Sequence, residues 1–393
     1  MNARHLVFHH RPMAASALGL CAGIILCDVI KGTWLFIAMC LFLCFFAFAM
    51  GFRRRGCAIF AIAAAIGIIR CLFRPLELPA YIIAHFQHIR ELLLQTTSSL
   101  FGEQAPMLQA MLWGCKGNIS AEAYAAYRMS GIAHVLALSG LHVSFIAAII
   151  DRLTKKCPAK PKFGITATLL FAYCAIAAFP ASLVRATIMT LTALYGRVCG
   201  RRYDMLSGIC FAAVAILLAD PASLFDIGFQ LSFGAVLAIA LLMRPVSEKL
   251  NFLPDDIAAI ISLSICGTLG TLPLSVYYFG VIPVLGLFAN MLILPIVPLV
   301  FVSALLTCLL GLAAPGIAGI IAAVPVFLAS AMTAAAESIA SVSFAVRKAG
   351  ISSAACLFIY LGYICISDYP LISAEKKYFA CAAMFAGAVL CMI

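Results

Sequence analysis

Three side chains capable of chemistry sit inside one apolar run. In GIAHVLALSGLHVSFIAAII, residues 131–150, His134, Ser139 and His142 interrupt a stretch hydrophobic enough to cross a bilayer, with Gly131 and Gly140 where a plain anchor would carry Leu. Further polar residues stand alone in other apolar segments: Arg185, then Asp226 and Gln230 four positions apart, then Tyr277, Tyr278 and Asn290. A charge at mid-bilayer costs roughly 2.5–3.5 kcal/mol, so such residues face protein or water. Asp28, Arg70 and Glu337 lie close enough to span ends to snorkel. Three chemistries fit the others. Ser139 with His142 as base is a hydrolytic pair, although a spacing of three sets them on neighbouring faces of a regular helix. His134, His142 and Asp226 are a thin metal-ligand set. Arg185, the histidines and the Asn290 amide can replace the hydration of phosphates on an anionic polymer while tyrosines stack its bases. Asp226 opposes that last use unless Arg185 neutralises it.

These groups need a scaffold, and composition says which. The 393 residues are 65% hydrophobic and 10% charged, with a mean hydropathy of +1.12, against about 25% charged in soluble domains. The expected fold is an all-α polytopic integral membrane bundle of about 11–13 transmembrane helices, each needing about 20 apolar residues. Candidate spans are 13–30, 33–50, 57–73, 131–150, 163–180, 181–199, 205–223, 224–243, 257–279, 284–310, 316–345, 352–369 and 377–393. The 284–310 run carries Pro295 and Pro298 and reads as one tilted helix or two half-helices. The N-terminus reads as an uncleaved signal anchor. The 17 cysteines form no CxxC pair and read as small hydrophobes.

Arg4 and Arg11, Arg53 to Arg55, DRLTKKCPAKPK at 151–162, Arg197 with Arg201 and Arg202, and Arg244 with Lys249 all fall on one side. The positive-inside rule makes that side, and the N-terminus, cytoplasmic. After residue 284 the rule decides little, because Arg347-Lys348 and Lys376-Lys377 fall on opposite sides. The 74–130 segment then lies outside. Its apolar stripe Ile82, Phe86, Ile89, Leu93 predicts an amphipathic helix on the outer leaflet, and Ser120 with Glu122 predicts the start of a second helix. A helix running inward from Gly131 would put His134 about one turn down and Ser139 and His142 near the midplane, at 1.5 Å per residue. Arg185, Asp226, Gln230, Tyr277, Tyr278 and Asn290 come out in the same outer half, which predicts a wetted polar vestibule.

The 131–150 run resembles the motif of the ComEC competence-protein family. LVRATIM at 183–189, DPASLFDIGFQLSFGAVLAI at 220–239 and LPLSVYYFGVIPVLGLFANMLILPIVPLV at 272–300 follow in the family's order, so that the resemblance covers roughly residues 105–310. It implies an inner-membrane channel passing single-stranded DNA into the cytoplasm during natural transformation. It also singles out His134, Ser139, Gly140, His142, Arg185, Asp226, Gln230 and Asn290. Longer members carry an OB-like region and a metallo-β-lactamase-like nuclease domain. Here the 74–130 segment reads as helical, no HxHxDH motif occurs, and GFRRRG at 51–56 is no P-loop. The expectation is a chain without cofactor or metal and without catalysis of its own, working with single-stranded DNA, membrane lipid, a separate nuclease and a cytoplasmic motor ATPase, with a homo-oligomer among the assemblies open to it. Its segments would be 1–73 (N-terminal spans), 74–130 (external), 131–345 (competence-type core) and 346–393 (C-terminal spans). A small-solute transporter and an intramembrane serine hydrolase using Ser139 and His142 are the alternatives.

Overall fold

A computed structural model describes residues 12–29, 54–71, 80–200, 204–342, 344–367 and 374–390. Arg4, Arg11, Lys31, Arg53, Arg201, Arg202 and the 33–50 span fall outside these residues, as do the side chains of Asp28, Arg54, Arg55, Ile82, Lys376 and Lys377. In chain order the helices are α1 (Pro12–Val29), α2 (Arg54–Cys71), α3 (Ala80–Phe101), α4 (Ala105–Trp113), α5 (Ala121–Met129), α6 (Gly140–Leu153), α7 (Ala159–Ile176), α8 (Ala181–Val198), α9 (Met205–Ala219), α10 (Ile227–Lys249), α11 (Asp255–Phe279), α12 (Gly286–Ile293), α13 (Val297–Ala313), α14 (Pro315–Ile321), α15 (Ala323–Ala340), α16 (Ser353–Ile366) and α17 (Ala374–Leu390). Strands β1 (Val281–Pro283) and β2 (Val346–Lys348) pair antiparallel, with Val281 opposite Lys348.

The protein is an all-α, multi-pass membrane protein. Among the described residues three stretches are long and apolar enough to cross a bilayer: Ile227–Lys249, Asp255–Phe279 and Pro315–Ala340. The pair α12 and α13, bent by 49°, makes a fourth if it is one span. The 284–310 run is therefore two helices, broken where Leu294 to Ile296 turn around Pro295. Shorter apolar helices include Met205–Ala219 and Ser353–Ile366.

Two compact units interleave along the chain. The first takes its described residues from 1–77, 202–279 and 350–393, the second from 78–201 and 280–349. Compactness thus cuts the chain at 201 and 279, where the four segments drawn from the sequence have no boundary.

In the first unit, helices touch through glycine. A Cβ on Gly23 of α1 would lie 2.1 Å from the Ala64 carbonyl oxygen on α2, and one on Gly270 of α11 would lie 2.6 Å from the Gly234 carbonyl oxygen on α10. Such backbone contact is how helices gain packing where lipid tails are as apolar as leucine. Arg70, expected to snorkel, instead closes α9: its Nη2 donates to the Ala219 carbonyl at 2.7 Å and its Nε to that of Leu218. A cation bonded to the last carbonyls satisfies acceptors the helix leaves open.

The second unit is built around one core of Trp113, Tyr127, Leu136, Val143, Leu183, Ile293 and Phe301 with their neighbours. Leu93 of the α3 stripe is buried, as are Thr97 and Phe101 further along the same face. Trp113 Nε1 donates to Thr97 Oγ1 at 2.9 Å, and Thr97 Oγ1 lies 3.5 Å from Cys308 Sγ on α13. That part of the stripe faces protein rather than the leaflet surface read from the sequence. The second helix of the segment begins as its sequence predicts, with Ser120 Oγ accepting from the Ala123 N–H.

Candidate functional site

The ten residues singled out in the sequence divide between the two units. His134, Ser139, Gly140, His142, Arg185 and Asn290 belong to the second, and Asp226, Gln230, Tyr277 and Tyr278 to the first.

The second unit corrects the reading of 131–150. No continuous helix runs from Gly131; a 3-10 turn at Ala133–Leu136 and extended backbone through Ser139 precede α6. Hydropathy does not register this break because Val135, Leu136 and Leu138 are buried in the core regardless of backbone state. Depth counted at a helical rise from Gly131 therefore fails, and His134 is exposed. Gly131 has φ of +82°, and a Cβ there would lie 2.7 Å from Gly286 Cα and 3.0 Å from Pro283 Cβ. The chain can enter this segment only through a residue with no side chain.

Ser139, with φ −136° and ψ 178°, is the N-cap of α6, and this brings it onto His142. The Ser139 backbone N–H donates to His142 Nδ1 at 3.0 Å, and Ser139 Oγ lies 3.2 Å from the same nitrogen. Side chains three apart are neighbours on a regular helix too; the cap adds a Ser139 N–H that has no intrahelical carbonyl to bond and turns to the ring instead. A backbone N–H can only donate, so Nδ1 holds a lone pair and the neutral ring carries its proton on Nε2. His142 is fully buried, its ring 4.8 Å edge-on from Phe301, and Nε2 has no partner. Gly140 opens the helix, and a Cβ on it would meet Ala186 Cβ at 3.7 Å and Arg185 Nη2 at 3.8 Å. Arg185 is 5% exposed, one of its contacts being Nη1 donating to Met189 Sδ at 3.6 Å. The turn feeding its helix is strained: Ala178 and Phe179 have φ of 62° and 51° ahead of Pro180, conformations costing about 1–2 kcal/mol per residue. Asn290 on α12 is 8% exposed, flanked by buried Ala289 and Ile293, with Oδ1 unpartnered. His142, Arg185 and Asn290 are thus packed rather than laid open around a wetted hollow.

In the first unit four residues do converge. The Asp226 carboxylate is the N-cap of α10, accepting from the Phe229 N–H at 2.8 Å, and it is exposed. One turn on, Gln230 Nε2 donates to the Leu224 carbonyl at 3.0 Å while its Oε1 accepts from Tyr278 OH at 2.7 Å. Tyr277 stands edge-on to Tyr278 with ring centroids 5.0 Å apart and is 46% exposed. Asp226 therefore has a structural use as a cap, and a hydrogen-bonded tyrosine supports an open one. An open groove of about 440 Å³ elsewhere in this unit, lined by Met205, Met243, Arg244 and Ser247, includes none of the ten.

Arg152 in the last turn of α6, Lys155 and Lys156 in the loop that follows and Lys160 in the first turn of α7 are all exposed. Lys162 bonds Asp151 and holds its carboxyl below the usual carboxylate range. Sequence reasoning missed Gln109, whose Nε2 donates to the Leu94 carbonyl and to Ser98 Oγ while Oε1 accepts from Asn118. A lone glutamine in an apolar helix was the available signal. Among the described residues no group of three or more His, Cys, Asp or Glu is placed to hold a metal ion.

A family profile described as "Competence protein" matches residues 111–370, a stretch that contains all ten positions. The curated relatives include ComE operon protein 3 of Bacillus subtilis strain 168, 27% identical over 53% of this chain and 26% of its own length. An uncharacterized protein of Aquifex aeolicus strain VF5 is 29% identical over 50% of this chain and 45% of its own. Competence protein ComA of Neisseria gonorrhoeae is 28% identical over 34% of this chain and 20% of its own. The chain thus aligns with less than half the length of each of these relatives. No solved structure matches it.

Proposed function

We infer the function from the premise that this chain belongs to the competence-protein family. It is the membrane core of a DNA-uptake machine, conducting single-stranded DNA across the cytoplasmic membrane with its N-terminus inside. The family match over 111–370 carries this reading, because it spans both groups of polar residues. On this reading the buried His142, Arg185 and Asn290 belong to the conduit at rest, and when α6, α8 and α12 part the Arg185 guanidinium and the Asn290 amide meet phosphates in place of water. Tyr277, open and braced through Tyr278 and Gln230, offers a face on which a base can stack. A separate nuclease supplies the strand and a cytoplasmic motor pulls it.

The test is uptake of fluorescently labelled DNA in a strain deleted for its own channel and complemented with this chain alone. Intracellular label is expected. Transport of a small anion with no DNA entry would instead support a solute carrier.

The 3.2 Å approach of Ser139 to His142 favours a second reading, a serine hydrolase. It is the weaker one, since the lone pair a base would use already accepts a backbone N–H and the ring has no exposed surface. Ser139→Ala keeps that backbone bond, so uptake should fall by no more than about threefold, the low end of losing a cap hydroxyl. Complete loss with normal membrane levels would revive the hydrolase.

A further inference from the structure

We propose that His142 is a positioning residue: an uncharged helix cap that sets the start of α6 against Arg185 and touches neither DNA nor the transported strand's counterions. The inference rests on the conduit reading for its functional arm, and on geometry alone for its structural one.

Helix N-termini leave four N–H groups without intrahelical partners, and a capping box satisfies some of them reciprocally. In that box a Ser or Thr N-cap is followed three residues later by Glu or Gln, whose side chain reaches back to the N-cap N–H. Here His142 occupies the third position and its Nδ1 accepts from the Ser139 N–H at 3.0 Å. The imidazole does the work of the carboxylate or amide.

Two features suit a ring to this place. The ring stands edge-on to Phe301 and Phe145, with centroids 4.8 and 6.5 Å away, so the residue that caps the helix also fills apolar core. It can also serve uncharged, whereas Glu would bring a carboxylate into a fully buried position. The bond closes the junction between extended residues 137–139 and α6, and the first residue of that helix, Gly140, lies beside the Arg185 guanidinium. Fixing that junction fixes the backbone surface against which Arg185 rests.

The experiment uses the full chain with His142→Gln and His142→Ala. Glutamine retains the acceptor that the N-cap requires; alanine removes it. Expected is DNA uptake near the wild-type level for Gln and a roughly two- to thirtyfold loss for Ala, the range of a lost cap, with the melting temperature in detergent ordered the same way. In wild-type protein carrying ¹⁵N-histidine, the His142 resonances should report a bare Nδ1 and a protonated Nε2 at neutral pH. Equal loss of uptake in Gln and Ala at equal melting temperatures, or a proton found on Nδ1, would overturn the assignment. If the wild-type chain moves no DNA, the conduit reading fails, and the melting order with the tautomer still decides the cap.

Discussion

Arg185→Ala should cut DNA uptake by roughly ten- to a hundredfold while the protein still reaches the membrane. Arg185 is 5% exposed on α8 beside the N-terminus of α6, so its five N–H donors face protein unless the helices part. A hydrogen bond to a charged group is worth about 1.5–3 kcal/mol, and loss of a single guanidinium–phosphate contact therefore slows passage by roughly ten- to a hundredfold. Every phosphate step is slowed by the same factor, so transit of the whole strand, and with it measured uptake, falls by roughly that ten- to a hundredfold. Arg185→Lys keeps the charge but not the planar fork and should retain part of the activity. Uptake by Arg185→Ala at the wild-type rate, at matched membrane levels, would remove Arg185 from the mechanism.

Gly131→Val should remove the folded protein altogether. Two penalties coincide there. The φ of +82° is left-handed, costing about 1–2 kcal/mol for a residue with a side chain. The new Cβ would also lie 2.7 Å from Gly286 Cα, a backbone atom that no rotamer change can move aside. Either the 131–139 segment or the β1–α12 junction must shift, and Leu136, Leu138, Ala289 and Ile293 leave the core with it. Overpacking of this kind costs about 1–3 kcal/mol before strain is added. The expected result is loss of the monodisperse peak in detergent and of protein from the membrane fraction. Gly164→Ala is the control, since no atom lies within 4 Å of its missing Cβ and alanine favours a helix by about 0.5–1 kcal/mol. Normal accumulation of Gly131→Val would show that Gly131 and Gly286 do not touch.

The membrane class and most helices were legible because they rest on local quantities. Hydropathy marks α10 and α11, Ser120 and Glu122 mark α5, and the prolines mark the break between α12 and α13. What hydropathy could not separate was backbone state within one apolar run. Val135 and Leu138 bury themselves equally well from a 3-10 turn or an extended strand, so the start of α6 came nine residues later than expected. Once Ser139 is seen as an N-cap, the Ser-x-x-His spacing explains itself; before that, nothing local marked the Ser139 N–H as a donor in need of a side chain. Asp226 has a structural use that its sequence position alone did not show. Intramembrane carboxylates suggest function, but at a helix start the same group is a cap, as Asp204 is for α9. Contacts distant in sequence were beyond reach: Arg70 closing α9, and Tyr278 bonding Gln230 across 48 residues.

The central claim is that a DNA strand passes these polar residues. It is tested most directly by photo-crosslinking during uptake, with a benzophenone-bearing phenylalanine derivative placed at position 134 and, separately, at position 277, both exposed in the structure. Illumination while labelled DNA is entering should attach label to the protein from each position, and from Leu153, exposed at the far end of α6, much less. Uptake that continues with no label captured at 134 or 277 would contradict the account.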